Sequence, residues 1–157
     1  MDIDNNSGSL QSGVTVVIVT WNAEEYIVSC IESLINQERI PDKIVIVDNN
    51  SSDSTIEKLE VFKRKVHVVS LPTNTGFAYA NNLAIKQHVS TEYVALINPD
   101  AIASKGWLRE LLNCALAQPE QSFFASRQLD FSDNSVLDGD GDALHLSGLA
   151  WRRGYGK

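Results

Sequence analysis

The chain has 157 residues, of which 43% are hydrophobic and 21% charged, values typical of a single soluble globular domain. Its formal net charge of -7 argues against binding to nucleic acid through a basic surface, although a nucleotide diphosphate held by a cation or helix N-termini is compatible with it. The N-terminus lacks a signal-peptide pattern, and no apolar run approaches the about 20 residues of a membrane span. We therefore expect a cytoplasmic protein without a transmembrane span.

The first part of the chain predicts a polar tail followed by a domain. Residues 1–13 are rich in Ser, Asn and Gly, which predicts a disordered tail before a domain over residues 14–157. Val14 to Thr20 and Ile44 to Val47 are continuous apolar, mostly β-branched runs. Such runs indicate strands of a parallel sheet that are buried on both faces.

A helix is predicted between these two strands. Its apolar residues recur at helical spacing, namely Ile27, Cys30, Ile31, Leu34 and Ile35. We expect Asn22 to cap this helix, with Glu25 completing a capping-box-like pair. Cys30 and Cys114 both fall on apolar helical faces, which predicts buried free thiols rather than a disulfide.

The segment from Asp48 to Thr55 consists of small, polar, turn-prone residues directly after the second strand. Asp48 lies at the carboxyl end of that strand, where open α/β sheets hold their ligands. Its carboxylate either accepts hydrogen bonds from a nucleobase or ribose or only satisfies loop amides. One of Ser51, Ser52 or Asp53 is well placed to cap the helix that follows.

A second helix at Ser54 to Lys63, a strand at Val66 to Leu71 and a third helix after Gly76 continue the α/β alternation. Gly76 suits a tight turn. One face of the third helix is predicted to contain Phe77, Ala80, Ala84 and His88. Asn81 and Asn82 lie in mid-helix, where asparagine is a poor helix former. A polar contact explains this choice, and a capped loop or a surface position explains it equally well.

The fourth predicted strand, Tyr93 to Ile97, ends at Asn98-Pro99-Asp100. Pro99 turns the chain out of the sheet, which places Asp100 at the same edge as Asp48. Carboxylate and amide oxygens at one edge suit Mg²⁺ or Mn²⁺. The alternative is that Asp100 only caps the turn that follows.

The rest of the chain has weaker patterns. A helix is predicted from Trp107 to Leu116, and a strand is predicted over Ser122 to Phe131. The last nine residues, from Leu149, have neither an apolar period nor a terminator. We therefore expect the domain to continue beyond Lys157 in a longer protein.

Four stretches in order resemble the motifs of the inverting family 2 glycosyltransferases, particularly their rhamnosyltransferase-like branch. These stretches are Val16 to Asn22, Val47 to Thr55, Asn74 to Asn82 and Leu96 to Asp100. The resemblance covers about residues 14–116. It implies an α/β fold of the GT-A type, with a Rossmann-like, mostly parallel sheet flanked by helices. The nucleotide-binding half precedes an acceptor-binding half, and this chain would be incomplete on its C-terminal side.

The resemblance also implies a donor site. Its nucleotide-binding residues would be Thr20, Asn22, Asp48, Asn50, Asn74, Gly76, Asn81 and Asn98. Asn98 and Asp100 match the outer positions of the Asp-x-Asp motif, with Asp100 facing Mg²⁺ or Mn²⁺ and the diphosphate. Since Asn98 replaces a carboxylate, tight metal binding without the nucleotide sugar is not expected.

The implied activity is the metal-assisted transfer of a sugar, with inversion, from dTDP-rhamnose or a UDP-sugar to a saccharide or lipid-linked acceptor. The family's carboxylate base lies beyond the Asp-x-Asp region, and we expect it beyond Lys157; Asp138, Asp140 and Asp142 are weaker candidates. Their acidic run, Asp130 to Asp142, lacks the twelfth-position Glu of a calcium loop, which favours a solvated loop. In the full-length protein, peripheral attachment at the inner face of the membrane is the alternative to a free cytoplasmic enzyme.

Two other functions remain as alternatives. The first is a non-catalytic fragment that binds a nucleotide or a partner. The second is a nucleotidyltransferase, which normally has an early Gly-rich, basic phosphate loop that this chain lacks. A Rossmann dehydrogenase is excluded because the turn after Thr20 has no Gly-x-Gly-x-x-Gly pattern.

Overall fold

The computed structural model describes residues 12–139, 142–144, 150–152, 154, 156 and 157. The chain divides into two compact units, one ending at Leu108 and the other beginning at Arg109. Of the tail predicted over residues 1–13, only Ser12 and Gly13 lie within the described residues. The Gly13 carbonyl accepts a hydrogen bond from the Tyr93 amide at 3.0 Å. The first strand itself begins at Val14, as predicted.

A four-stranded parallel sheet forms the centre of the first unit. Its strands are β1 (Val14–Thr20), β2 (Lys43–Asp48), β3 (His67–Ser70) and β4 (Tyr93–Leu96), in the order β3-β2-β1-β4. The register pairs Thr20 with Asp48 and Asp48 with Ser70, so that the carboxyl ends of β1, β2 and β3 are aligned. The predicted parallel sheet is confirmed, with the bounds of β1 as expected.

Both faces of the two central strands are buried. On one face, Val17, Val19, Val45 and Val47 pack against Ala80 and Ala84 of α3 (Phe77–His88). On the other face, the alternate residues Val16, Ile18, Ile44 and Ile46 are also buried. Burial on both faces explains why these strands are continuous apolar runs rather than alternating ones.

The predicted helices are present, but the caps differ from expectation. Helix α1 (Ile27–Ile35) has Tyr26 as its N-cap without a side-chain hydrogen bond. The predicted capping by Asn22 and Glu25 is therefore wrong, because the Asn22 side chain bonds to another loop. Helix α2 (Thr55–Leu59) is preceded by Ser54, which also makes no side-chain cap, and a 3-10 turn (Glu60–Phe62) follows it.

Two predictions about buried helical faces need correction. In α3 the buried residues are Ala80, Asn81 and Ala84, whereas the Phe77 side chain is exposed. Both cysteines are free thiols, as predicted, but only Cys30 is buried and Cys114 is exposed. The apolar period alone therefore overestimated how much of each helix is covered.

The second unit begins within helix α4 (Trp107–Ala117), and the strands described in it are two or three residues long. Strand β5 (Gln128–Leu129) pairs with β6 (Leu137–Gly139), and β7 (Asp142–Leu144) pairs with β8 (Ala150–Arg152), both antiparallel. The predicted strand over Ser122 to Phe131 is therefore wrong except at two residues. The acidic run is not only a loop, since it contains β6 and the start of β7. Among the described residues, no helix has the length and apolar character needed to cross a membrane.

Candidate functional site

The carboxyl edge of the sheet brings a hydroxyl and a carboxylate together. Thr20 ends β1 and Asp48 ends β2, and the two are register partners whose side chains lie on the same face. Thr20 is fully buried and Asp48 is 2% exposed. Among the residues that the structure describes, the buried Thr20 hydroxyl has no hydrogen-bond partner. Since buried polar atoms are nearly always bonded, an unpartnered hydroxyl at a sheet edge indicates a place where a ligand group can bond.

The carboxylate of Asp48 already bonds to its own loop. Its Oδ1 accepts a hydrogen bond from Ser51 Oγ at 2.5 Å, and its Oδ2 accepts one from the Ser51 amide at 3.1 Å. This is the loop-satisfying role that the sequence left open for Asp48. An ionised carboxylate has about four acceptor positions, so these two bonds leave capacity for a ligand N–H.

The loop after β1 is tied to the loop after β2 through Asn22. Asn22 Oδ1 accepts a hydrogen bond from the Ser52 amide at 2.8 Å, and the Asn22 amide donates to Ser51 Oγ at 2.9 Å. Asn22 and Asn50 have φ angles of 50° and 67°, in the left-handed region that asparagine tolerates better than most residues. Both predicted donor-site residues therefore shape these loops.

A second tie joins the same loops by reciprocal hydrogen bonds. The Glu24 amide donates to Asp53 Oδ2 at 3.1 Å, and the Ser54 amide donates to Glu24 Oε2 at 2.9 Å. Asp53 Oδ1 also accepts from the Thr55 amide at 3.0 Å, at the start of α2. Burial alone would raise the pKa of Asp53, but hydrogen bonds from Thr55 and Glu24 outweigh it and lower that pKa. Sequence reasoning placed Asp53 only as a helix cap.

The loop before α3 is held by Asn49, which sequence reasoning missed. Asn49 Nδ2 donates to Asn74 Oδ1 at 2.9 Å, and Asn49 Oδ1 accepts from the Thr75 amide at 2.8 Å. Asn74 Oδ1 also accepts from the Gly76 amide at 3.0 Å. Gly76 has a φ of 83°, which an L side chain rarely adopts, so the predicted tight turn is present.

Asn81 is the remaining predicted donor-site residue on α3. It is 5% exposed, and its Nδ2 donates to the Phe77 carbonyl of the preceding turn at 3.0 Å. Asn82 is exposed. A polar contact therefore does exist at Asn81, but it is made to the helix's own backbone.

The segment after β4 places Asn98 and Asp100 beyond the same edge. The Ile97 amide still donates to the Val17 carbonyl at 3.2 Å, and the chain then turns, with the Ala101 amide donating to the Asn98 carbonyl at 3.1 Å. Asp100 is exposed. Burial, with a smaller contribution from the Asp100 charge, raises the pKa of Cys30 to about 12. Asp100 therefore lies close enough to α1 for its field to act there.

The residues present fit one kind of cation. In the part of the chain that the structure describes, no three His, Cys, Asp or Glu side chains cluster as a metal cage would require. A lone carboxylate, Asp100, beside the amide residue Asn98 suits instead a cation such as Mg²⁺, which usually takes one or two protein carboxylates and completes its shell from phosphates and water.

Comparison with known proteins identifies the family. The family model described as "Glycosyl transferase family 2" matches residues 15–142. The chain belongs to this family. Among its relatives is the putative teichuronic acid biosynthesis glycosyltransferase TuaG of Bacillus subtilis, which is 29% identical over 128 residues, covering 80% of this chain and 50% of that protein. The chain spans between 12% and 50% of the lengths of the first curated relatives it matches.

Solved structures of two proteins share the fold. The 1–349 portion of Staphylococcus aureus TarS superimposes with a TM-score of 0.61 at 28% identity, covering 68% of this chain and 33% of that one. A mannosyltransferase from Pyrobaculum calidifontis gives a TM-score of 0.63 at 21% identity over 81% of this chain and 38% of that one, which supports the fold alone. The mostly parallel sheet flanked by helices is therefore a GT-A fold.

None of the candidates for a catalytic base lies among the described residues of the first unit. Asp138 lies on β6 of the second unit, Asp142 begins β7, and Asp140 lies outside the described residues. That the base lies beyond Lys157 stays a prediction.

Proposed function

We propose that this chain is the donor-binding portion of an inverting glycosyltransferase that uses a nucleoside diphosphate sugar. The observation that carries the proposal is the buried, unpartnered hydroxyl of Thr20 beside the carboxylate of Asp48. A hydroxyl donates to a carbonyl oxygen and a carboxylate accepts from an N–H. Uracil and thymine present these two groups side by side at O4 and N3–H.

The comparisons support the same ligand class. Structures of TarS in complex with UDP and with UDP-GlcNAc share this fold at 28% sequence identity. A UDP-sugar is therefore one proposed donor. The Asn98-Pro99-Asp100 sequence, shared with the rhamnosyltransferase-like branch, supports dTDP-rhamnose as the other.

Asn98 and Asp100 would hold Mg²⁺ or Mn²⁺ together with the diphosphate. Such an ion supplies charge neutralisation to the departing nucleoside diphosphate. The acceptor hydroxyl would attack the anomeric carbon from the opposite face and lose its proton to a carboxylate base, which inverts the configuration. This chain's own described residues would bind and orient the nucleotide.

The acceptor is proposed from the relatives. TuaG is named for teichuronic acid biosynthesis, and TarS is named as a poly(ribitol-phosphate) N-acetylglucosaminyltransferase. A saccharide or lipid-linked saccharide of a bacterial surface polymer is therefore the proposed acceptor class. Its assembly would take place in the cytoplasm or at the inner face of the membrane.

A calorimetric titration of this chain with UDP, dTDP and GDP, each with and without Mn²⁺, tests the proposal. We expect UDP or dTDP to bind more tightly with Mn²⁺. Asp100→Ala should abolish the Mn²⁺ effect, and Asp48→Ala should weaken binding by about tenfold or more in either condition. Glu60→Ala, an exposed carboxylate on the 3-10 turn, is the matched control and should bind as the wild type does.

If the chain binds GDP more tightly than UDP or dTDP, the proposed base becomes guanine instead of uracil or thymine. A folded chain that binds none of the nucleotides would overturn the donor site. Binding without transfer would instead support the second candidate, a nucleotide-binding fragment without turnover.

A further inference from the structure

We propose that Asn49 is a positioning residue that sets the loop before α3 against the donor nucleotide. This inference builds on the proposed function, because it assigns to Asn49 the placement of predicted donor residues rather than a contact with the ligand. Asn49 is 2% exposed and follows Asp48 directly in the chain. The Asn49 side chain is therefore buried in the protein, next in sequence to Asp48 at the carboxyl edge of the sheet.

The hydrogen bonds of Asn49 join the ends of two strands to the loop before α3. Its backbone amide donates to the Thr20 carbonyl at 2.8 Å, which fixes the end of β2 against the end of β1. Its side-chain oxygen accepts from the Thr75 amide at 2.8 Å and from Thr75 Oγ1 at 3.1 Å. Its side-chain nitrogen donates to Asn74 Oδ1 at 2.9 Å. Asn49 thus holds Thr20 through its backbone amide, and Asn74 and Thr75 through its side-chain amide, in a fixed relation.

The chemistry of an amide explains why this position requires asparagine. The loop presents two donors, the amide and hydroxyl of Thr75, and one acceptor, Asn74 Oδ1. Only a side chain with an acceptor and a donor on one short planar group satisfies both at once. An aspartate of the same shape would keep the acceptor but place a second oxygen against Asn74 Oδ1. The turn at Gly76 depends on the same Asn74 oxygen.

Gln37 provides a matched control elsewhere in the first unit. It is also a buried amide, 4% exposed, whose Nε2 donates to the Ser104 carbonyl at 2.7 Å and whose Oε1 accepts from the Leu108 amide at 3.0 Å. It follows the C-terminal end of α1 rather than a carboxyl end of a strand. Asn49→Ala and Gln37→Ala therefore remove similar buried hydrogen bonds at different places.

The test measures UDP affinity and amide hydrogen exchange on the 157-residue chain with Mn²⁺ present. We expect Asn49→Ala to weaken UDP binding by about tenfold and to speed exchange at the Thr75 and Gly76 amides, while the Ser52 amide keeps its protection. Gln37→Ala should leave the UDP affinity within about twofold of the wild type, even where its loss of thermal stability is similar. Asn49→Asp keeps the acceptor for Thr75 and the side-chain volume, so it supplies a folded variant if Asn49→Ala fails to fold. Its UDP affinity should fall as well.

If the wild type binds UDP and both Asn49 variants bind it with the same affinity, this inference is overturned and the proposed function stands. Equal losses of affinity in Asn49→Ala and Gln37→Ala would also overturn it, because the effect would then follow from stability alone. Absence of nucleotide binding by the wild type would overturn the proposed function, and this inference with it.

Discussion

The interior of the sheet and the loops at its carboxyl edge are held together by different interactions. In β1 and β2 the contacts are between aliphatic side chains such as Ile18 and Ile46, which are fully buried. At the edge, polar side chains such as Asn22 and Asn49 bond to backbone groups of a neighbouring loop. The interior depends on the volume that its side chains fill, whereas the edge depends on the pattern of donors and acceptors.

This difference teaches where substitutions should act. A change of side-chain volume in the interior alters the free energy of unfolding of the whole unit, because a closely packed interior transmits the resulting strain to its neighbours. A change of donor or acceptor at the edge alters the position of one loop and the ligand affinity that depends on it.

Ile46→Ala should give the largest effect. Ile46 is fully buried at the centre of β2, so its truncation removes apolar contacts and leaves a cavity. We expect the free energy of unfolding to fall by about 2–5 kcal/mol, measured by urea denaturation. Val61→Ala, at a side chain that is 83% exposed, should change it by less than about 0.5 kcal/mol. A small effect at Ile46 would contradict the separation.

Asp53→Ala should destabilise the edge by about 1–2 kcal/mol, because it leaves the amides of Glu24 and Thr55 without their acceptor. Asp53→Asn keeps an acceptor oxygen and should cost less. The folded-state pKa of Asp53 lies below its usual 3.8, so this contribution is present above about pH 4 and is lost as the pH falls through the folded-state value. Urea denaturation of the wild type and of both variants at pH 7 and at pH 3 checks this, and a difference between the wild type and Asp53→Ala that does not change with pH would contradict it.

Thr20→Val should separate stability from binding. The buried Thr20 hydroxyl has no hydrogen-bond partner within the described part of the chain, so replacing it with a methyl group removes a desolvation cost. We expect the free energy of unfolding to rise by about 1 kcal/mol while UDP affinity falls. The control is Thr15→Val on the same strand, where Thr15 Oγ1 bonds to Thr91 Oγ1 at 2.8 Å. That variant should lose about 1 kcal/mol of stability and retain its UDP affinity; the reverse pattern would contradict the assignment of Thr20.

The smallest expected effect is a pH dependence at the start of β3. The ring centroids of His67 and His88 lie 4.7 Å apart. Burial, together with the charges of His88 and Lys43, lowers the pKa of His67 below 6.5. A lowered histidine pKa means that the unfolded chain binds the proton more readily, so stability is full above pH 6.5 and falls as the pH drops below it. Thermal melts from pH 7.5 to pH 5 should show this fall, and His67→Gln should reduce its slope. An unchanged slope would exclude His67 as the source.

The sequence predicted the interior well and the edge less well, for a physical reason. The bounds of β1 were confirmed because seven consecutive buried residues leave a local signature. The predicted Asn22 cap was wrong because Asn22 instead bonds to Ser52, 30 residues away in the chain. Asn49 was missed for the same reason, since its partners lie beyond β3. Hydrogen bonds between loops follow strand register, which no local pattern encodes.

In the second unit, the strand prediction over Ser122 to Phe131 failed for a different reason. An apolar pattern predicts a strand only where those residues are buried, but Phe123 and Phe131 are 93% and 80% exposed. The segment around them therefore gave a strand signal over ten residues, of which only Gln128 and Leu129 form a strand. For the candidate site, the residue types and their shared sheet edge followed from the sequence. Which hydrogen bonds Asp48, Asn49 and Ser51 each make could be seen only in the structure.

The two cysteines make this chain suited to fluorescence work without mutation of its native thiols. Cys30 is buried with a pKa raised to about 12, so it supplies almost no thiolate at neutral pH. Cys114 is an exposed free thiol on α4. A maleimide dye should therefore attach at Cys114 alone while the protein is folded, and labelling of Cys30 would report unfolding of the first unit.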